Sequence, residues 1–186
     1  MSLEISPNAA LIVIDVQREF DEPRHGRRDN PDAEDNIGRL VAAWQDADRL
    51  VIRVAQTEKD GGFAPHNPGH AFKSVIADIV PSLDVRKEVH SAFHGVPDLD
   101  VWLRNNEVEQ IVICGIQTNR CCESTARVGA DLGYDVLFAI DATHTFDKHG
   151  PDGEVYTAEQ LSAATGATLH DYFATVVRTA ELLGDS

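Results

Sequence analysis

A chain of 186 residues, 42% hydrophobic and 25% charged, fits a single domain (residues 1–186) with a sizeable core. Its 16 basic and 31 acidic residues leave a net charge of −15, which repels phosphate backbones and anionic membrane surfaces, so neither nucleic acid nor membrane is an expected partner. No apolar run approaches the roughly 20 residues needed to span a bilayer, and residues 1–8 carry neither the basic segment nor the apolar stretch of a signal peptide, so a cytoplasmic location is expected.

Ala9 to Val16, "AALIVIDV", is a short continuous apolar run rich in β-branched residues and reads as a strand buried on both faces. A helix follows, with Asn30 as the expected cap, Pro31 at its first position, and Ile37, Leu40, Val41 and Trp44 at helical spacing. Leu50 to Gln56 is a second strand, so strand, helix and strand fall within about fifty residues, the unit of a parallel sheet. Residues 57–70 form a loop rich in Gly, Pro and His. Val85 to Val89 is the third strand, Pro97 to Glu107 a helix, and Gln110 to Ile116 a wholly apolar fourth strand. A helix starts near Cys121, Tyr134 to Ala142 is the fifth strand, and Thr157 with Gln160 three residues on makes a capping box for a late helix. "FATVVRT" is the sixth strand, and a short turn ends the chain. The expected fold is therefore α/β: a three-layer α/β/α domain with a mostly parallel six-stranded sheet and helices on both faces. Ligands of such sheets sit outside the carboxyl ends of the strands.

Three residues with chemistry stand at those ends. Asp15 ends the first strand, where a carboxylate after an apolar run must cap, pair or act. Lys87 lies in or just past the third strand, between Arg86 and Glu88, where a solvated edge residue is the bland alternative. Cys121 follows the fourth strand by the turn "QTNR" and opens a helix, a position where free N–H groups and the helix dipole favour thiolate and can hold an oxyanion. The three cysteines, Cys114, Cys121 and Cys122, are an odd number, adjacent cysteines rarely bridge, and no CxxC spacing is present, so neither a disulfide framework nor a structural zinc site is expected. Cys114, inside a strand, reads as a small buried hydrophobe. The basic cluster Arg24, Arg27 and Arg28 reads as a solvated loop.

"LIVIDVQREF", a Lys before "SAF" in "KEVHSAF", "GIQTNRCCESTARVGADLGYDV" and "DATHTFD" resemble, in order and spacing, the isochorismatase-like cysteine hydrolases over about residues 9–177. That resemblance implies a catalytic triad of Asp15, Lys87 and Cys121, with Thr118 setting the register that makes Cys121 the nucleophile and puts Cys122 where an apolar neighbour usually stands. It also implies a cis peptide between Ile116 and Gln117 and an oxyanion hole made by the N–H groups of Gln117 and Cys121. Nicotinamidases of the family carry an Asp-x-His metal motif after the second strand. "QTEKDGGFAPHNPGH" has His66 and His70 but no such motif, so no metal and no other cofactor is expected.

"DVQREFDEPRHGRRDNPDAEDNIGRL", "NPGHAFK" and "DATHTFDKHGPDG" are most similar to a bacterial branch that includes streptothricin hydrolase-like enzymes. Phe20, His25, Phe93 and the loop at 57–72 are the expected pocket lining. The expected substrate is a small molecule with a C–N amide-type bond. The alternatives are an enol ether such as isochorismate, cleaved through Asp15 acid–base chemistry without the cysteine, and a binding domain that has lost turnover. The resemblance also implies a homodimer or homotetramer.

Overall fold

The structure is a computed structural model, and it describes residues 3–184. Its centre is a six-stranded sheet of β1 (Ala10–Ile14), β2 (Val51–Gln56), β3 (Leu83–Lys87), β4 (Gln110–Ile116), β5 (Asp135–His144) and β8 (Thr175–Val177). The spatial order is β3-β2-β1-β4-β5-β8, and every pairing is parallel. A two-stranded antiparallel hairpin of β6 (Lys148–His149) and β7 (Val155–Tyr156) lies apart from it.

The continuous apolar runs are explained by burial on both faces. Along β1, Ala10, Ile12 and Ile14 enter one core layer, and Leu11 and Val13 enter the other. The second layer is closed by α1 (Ala33–Asp46), α2 (Ser74–Ala77) and α6 (Thr179–Leu183), through Ile37, Leu40, Val41, Trp44, Ile76 and Leu182. The first is closed by α3 (Leu99–Asn105), α4 (Glu123–Asp131) and α5 (Ala158–Leu169), through Leu99, Leu103, Ala126 and Leu169. Each large side chain so enclosed contributes roughly 2 kcal/mol of transfer free energy. Trp44 also satisfies its indole N–H on the Ala9 carbonyl at 2.9 Å. Sheet and two helical layers make the expected α/β/α domain.

Local boundaries differ where tertiary partners outcompete local signals. The first helix starts at Ala33 rather than at Pro31, and Asn30 is not its cap. Asn30 adopts φ 43° and donates its side-chain amide to the carbonyls of Asp141 (2.8 Å) and Thr143 (2.6 Å), fastening the chain to the end of β5. The third strand ends at Lys87 instead of Val89, because Ala92–His94 turns the chain back toward the sheet. The helix placed near Cys121 begins at Glu123. It is preceded by a wide turn, Thr118–Cys122, in which the Cys122 N–H reaches the Gln117 carbonyl at 3.2 Å. The Thr157–Gln160 capping box is present in both directions, at 3.2 and 2.9 Å. In the basic cluster Arg24 and Arg27 are exposed and Arg28 is half-buried, and all three are also paired: Arg24 with Glu19, Arg27 with Asp147 and Glu159, and Arg28 with Glu34.

The chain order places the sheet's switch point between β1 and β4. The connection after β1 runs to one side and that after β4 to the other, which opens a crevice at their carboxyl ends. Gly115 lets the two strand ends close together there. At its φ of 128°, a Cβ would stand 2.1 Å from the Ile14 carbonyl oxygen.

Candidate active site

Asp15 leaves β1 in the left-handed region, φ 53°, where Asp is tolerated better than most residues. Its N–H is held by the Val54 carbonyl at 2.9 Å, and its side chain has no exposure to solvent. Lys87, the last residue of β3, reaches past β2 and donates to Asp15 Oδ2 at 2.7 Å and to Gln56 Oε1 at 2.7 Å. Its side chain is also fully enclosed. Gln17 ties the strand ends together: it accepts from the Gln56 N–H at 2.8 Å and donates to the carbonyls of Gln56 and His70.

Cys121 arrives from the other side of the switch point. Its turn is pinned at several places. Thr118 donates to Thr143 Oγ1 at 2.9 Å, Thr145 to Asn119 Oδ1 at 2.6 Å, and Thr125 to the Cys121 carbonyl at 2.7 Å. Thr125 also accepts from the Ala92 N–H, linking the turn to the segment that follows Lys87. The peptide between Ile116 and Gln117 is cis. Cys121 and Cys122 differ in accessibility as neighbours on one turn must: Cys121 is 8% exposed and lines the cavity, while Cys122 is 0% exposed. Cys114 is enclosed in the opposite core layer.

The electrostatics are dominated by burial. Burial pushes the Asp15 carboxyl above the usual carboxylate range, and the Lys87 ammonium only partly offsets it. Burial acts to lower the Lys87 pKa, but Asp15 and Cys121 beside it outweigh this, so the ammonium is retained. The Cys121 thiol is pushed up to about 12, first by burial and then by the Asp15 charge. The thiolate expected from a helix N-terminus is therefore not the resting form. The α-helix proper begins two residues later, and desolvation beside a carboxylate outweighs the dipole. Asp15 Oδ1 is buried with no nitrogen or oxygen donor bonded to it, and the carboxyl interacts with the Cys121 thiol beside it.

Asp15 and Cys121, with Gln56 and Gln117, line a cavity of about 290 Å³, and Lys87 lies behind Asp15 outside that lining. One wall is aromatic. Phe20 lies 5.1 Å from Phe63 and 5.3 Å from His25, centroid to centroid, so Phe20, His25 and, from the loop at 57–72, Phe63 and Glu58 line the cavity. Phe93 does not. Its ring stacks on Tyr134 at 5.6 Å and packs against Gly129 and Ile111, in the core layer beneath α4. The turn after β3 directs it inward, away from the cavity. The lining also includes His90, Arg120 and Lys148, which motif reasoning passed over. His90 Nδ1 is 3.8 Å from Cys121 Sγ, and its place just before "SAF" was the available signal. His66 is exposed, and His70 Nε2 lies 3.4 Å from Thr57 Oγ1. Among the described residues, no three His, Cys, Asp or Glu side chains are placed to hold a metal ion. Among them, too, no helix is long and apolar enough to cross a membrane.

Residues 9–181 match the isochorismatase domain. The chain is 34% identical to the isochorismatase family protein YrdC of Bacillus subtilis over 178 residues, 95% of either chain. A solved isochorismatase-family structure from Chromobacterium violaceum superposes with a TM-score of 0.93 at 30% identity, covering 100% of this chain and 97% of that one. A cysteine hydrolase from Pseudomonas syringae pv. phaseolicola superposes with a TM-score of 0.87 at 28% identity, covering 97% and 93%.

Proposed function

The chain belongs to the isochorismatase family of hydrolases, and from that premise we propose that it is a metal-independent cysteine hydrolase that cleaves a C–N amide-type bond of a small molecule. The observation that carries this reading is the uncommitted Asp15 Oδ1. A buried carboxylate bound on one oxygen by Lys87, with the other free beside the Cys121 thiol, is poised to take a proton. An enol-ether cleavage would need only the acid–base group, and would leave the thiol beside it unexplained.

The chemistry follows from the charges. A thiol near 12 is not ionised at neutral pH, so its proton must leave during attack. Asp15 Oδ1 takes that proton as Cys121 Sγ bonds to the substrate carbonyl carbon, and the C=O electron pair moves onto oxygen. The oxyanion is held by the N–H groups of Gln117 and Cys121 at the two ends of the turn. Collapse of the intermediate breaks the C–N bond. Asp15 returns the proton to the leaving amine, and a thioester remains on Cys121. Asp15 next takes a proton from water as it attacks the thioester, and the thiol leaves with that proton. Lys87 keeps a positive charge against Asp15 throughout, and its Gln56 contact fixes the ammonium in place. The raised Asp15 pKa makes it a stronger base than an exposed aspartate.

A screen of small amides, ureas, lactams and imides for ammonia or amine release tests the assignment. Release should fall by roughly ten-thousandfold in Cys121→Ala, with the melting curve preserved. Retained release in that variant would transfer the reaction to Asp15 alone.

A further inference from the structure

In this acidic chain most cations near the cavity are already claimed. Arg24, Arg28, Lys73 and Lys87 each have a carboxylate within ion-pair distance. Arg120 and Lys148, both in the cavity lining, have none among the described residues. They come from different elements: Arg120 from the turn that presents Cys121, and Lys148 from β6 of the hairpin that follows β5. Arg18 and Arg86 also lack a carboxylate, but they lie outside this lining. An available acid does not neutralise the pair, because Glu58 shares the lining and is bonded to neither.

Lys148 is half-buried, and a partly desolvated ammonium without a counter-charge is costly. Burial, and then the nearby Arg120 charge, lower its pKa. Two like charges held near each other over a catalytic floor form a site that one anion would stabilise. The lining also includes the ring cluster of Phe20, Phe63 and His25, so the cavity offers aromatic surface besides the two cations.

We infer that Arg120 and Lys148 bind a carboxylate of the substrate, so that the molecule cleaved is a small amide acid whose carboxylate rests on these cations while its amide carbonyl meets Cys121. This rests on the cysteine hydrolase reading of the same cavity and names its substrate class.

Binding can be measured apart from turnover in the Cys121→Ala protein. Calorimetry would compare malonamate, succinamate and glutaramate with their neutral diamides, malonamide, succinamide and glutaramide. At least one acid should bind about tenfold more tightly than its diamide, and the preference should shrink with added salt. It should disappear in Arg120→Gln/Lys148→Gln, which replaces one exposed and one half-buried side chain. Equal binding of acid and diamide, no binding by any acid, or a preference that survives the double substitution overturns the inference. Ammonia release from the same compounds by the unsubstituted protein is scored separately. An acid preference without release leaves the anion site standing and rules these compounds out as substrates. Release without the preference supports the amidase reading and overturns the anion site.

Discussion

A buried carboxylate, Asp15, and a half-buried one, Glu34, both face lysines in this molecule, and they are built for opposite ends. Glu34, on α1, accepts from Lys73 at 2.8 Å and from the two terminal guanidinium nitrogens of Arg28 at 2.5 and 2.6 Å, so both of its oxygens are engaged. The enclosed His144 ring lies 3.6 Å away. Burial works against the Glu34 charge, yet these partners outweigh it and hold its carboxyl far below the usual range. Asp15 has one cation, one free oxygen and a raised pKa. A saturated carboxylate can only hold structure together. An unsaturated one beside a thiol can exchange a proton. The number of partners separates the two roles, since both groups belong to lysine ion pairs.

Charge removal at each site should break the comparison in opposite ways. Asp15→Asn should lower turnover roughly a thousandfold, measured on whichever amide the screen identifies. Glu34→Gln should leave turnover little changed. Its effect falls on stability: denaturant titration should show a loss of about 2 kcal/mol, below the full value for a buried pair because the Glu34 side chain is 21% exposed.

Acid should sharpen the same contrast. The folded-state pKa of Glu34 lies below its unfolded value of 4.5, so its stabilisation is present above that pH and is lost as pH falls through the folded value. Glu34→Gln should therefore flatten the acid limb of the stability–pH curve below about pH 4.5. Asp15 has the reverse sign. Its folded pKa is raised, so its contribution lowers stability as pH rises above 3.8.

Labelling reads the thiol at the catalytic floor. With the Cys121 thiol near 12, alkylation by iodoacetamide should rise about tenfold per pH unit from pH 7 to 10 without a plateau. A plateau below pH 9 would mean that the thiolate already exists in the resting site. The smallest effect is expected at Cys122, enclosed against Cys121's own turn. Cys122→Val should cost under about 1.5 kcal/mol and leave turnover intact, which would separate the two members of the doublet.

Much of the architecture was legible because its signals are local. An apolar run such as Leu11 to Ile14 declares burial on both faces, and Thr157 with Gln160 declares a helix start. Asp15, Lys87 and Cys121 were legible as chemistry at strand ends and through a motif resemblance. Other readings failed where a partner far along the chain decided the outcome. Asn30 looked like a cap but serves carbonyls more than a hundred residues away. Phe93 looked like pocket lining but fills the layer under α4. Arg27 is exposed as expected, yet it also pairs with Asp147 and Glu159 more than a hundred residues away.

From the sequence alone came the order of the main strands and helices and the placing of Asp15, Lys87 and Cys121 at strand carboxyl ends, because periodicity and strand-end residues are properties of neighbouring positions. Tertiary structure alone decided how charged each group is and what it touches. Asp15 and Lys87 meet across 72 residues of chain, and His90, Arg120 and Lys148 enter one cavity from three separate connections. Desolvation and pairing depend on surroundings assembled from distant segments, so the neutral thiol, the free carboxylate oxygen and the unpaired cations above them appear only once the chain has folded.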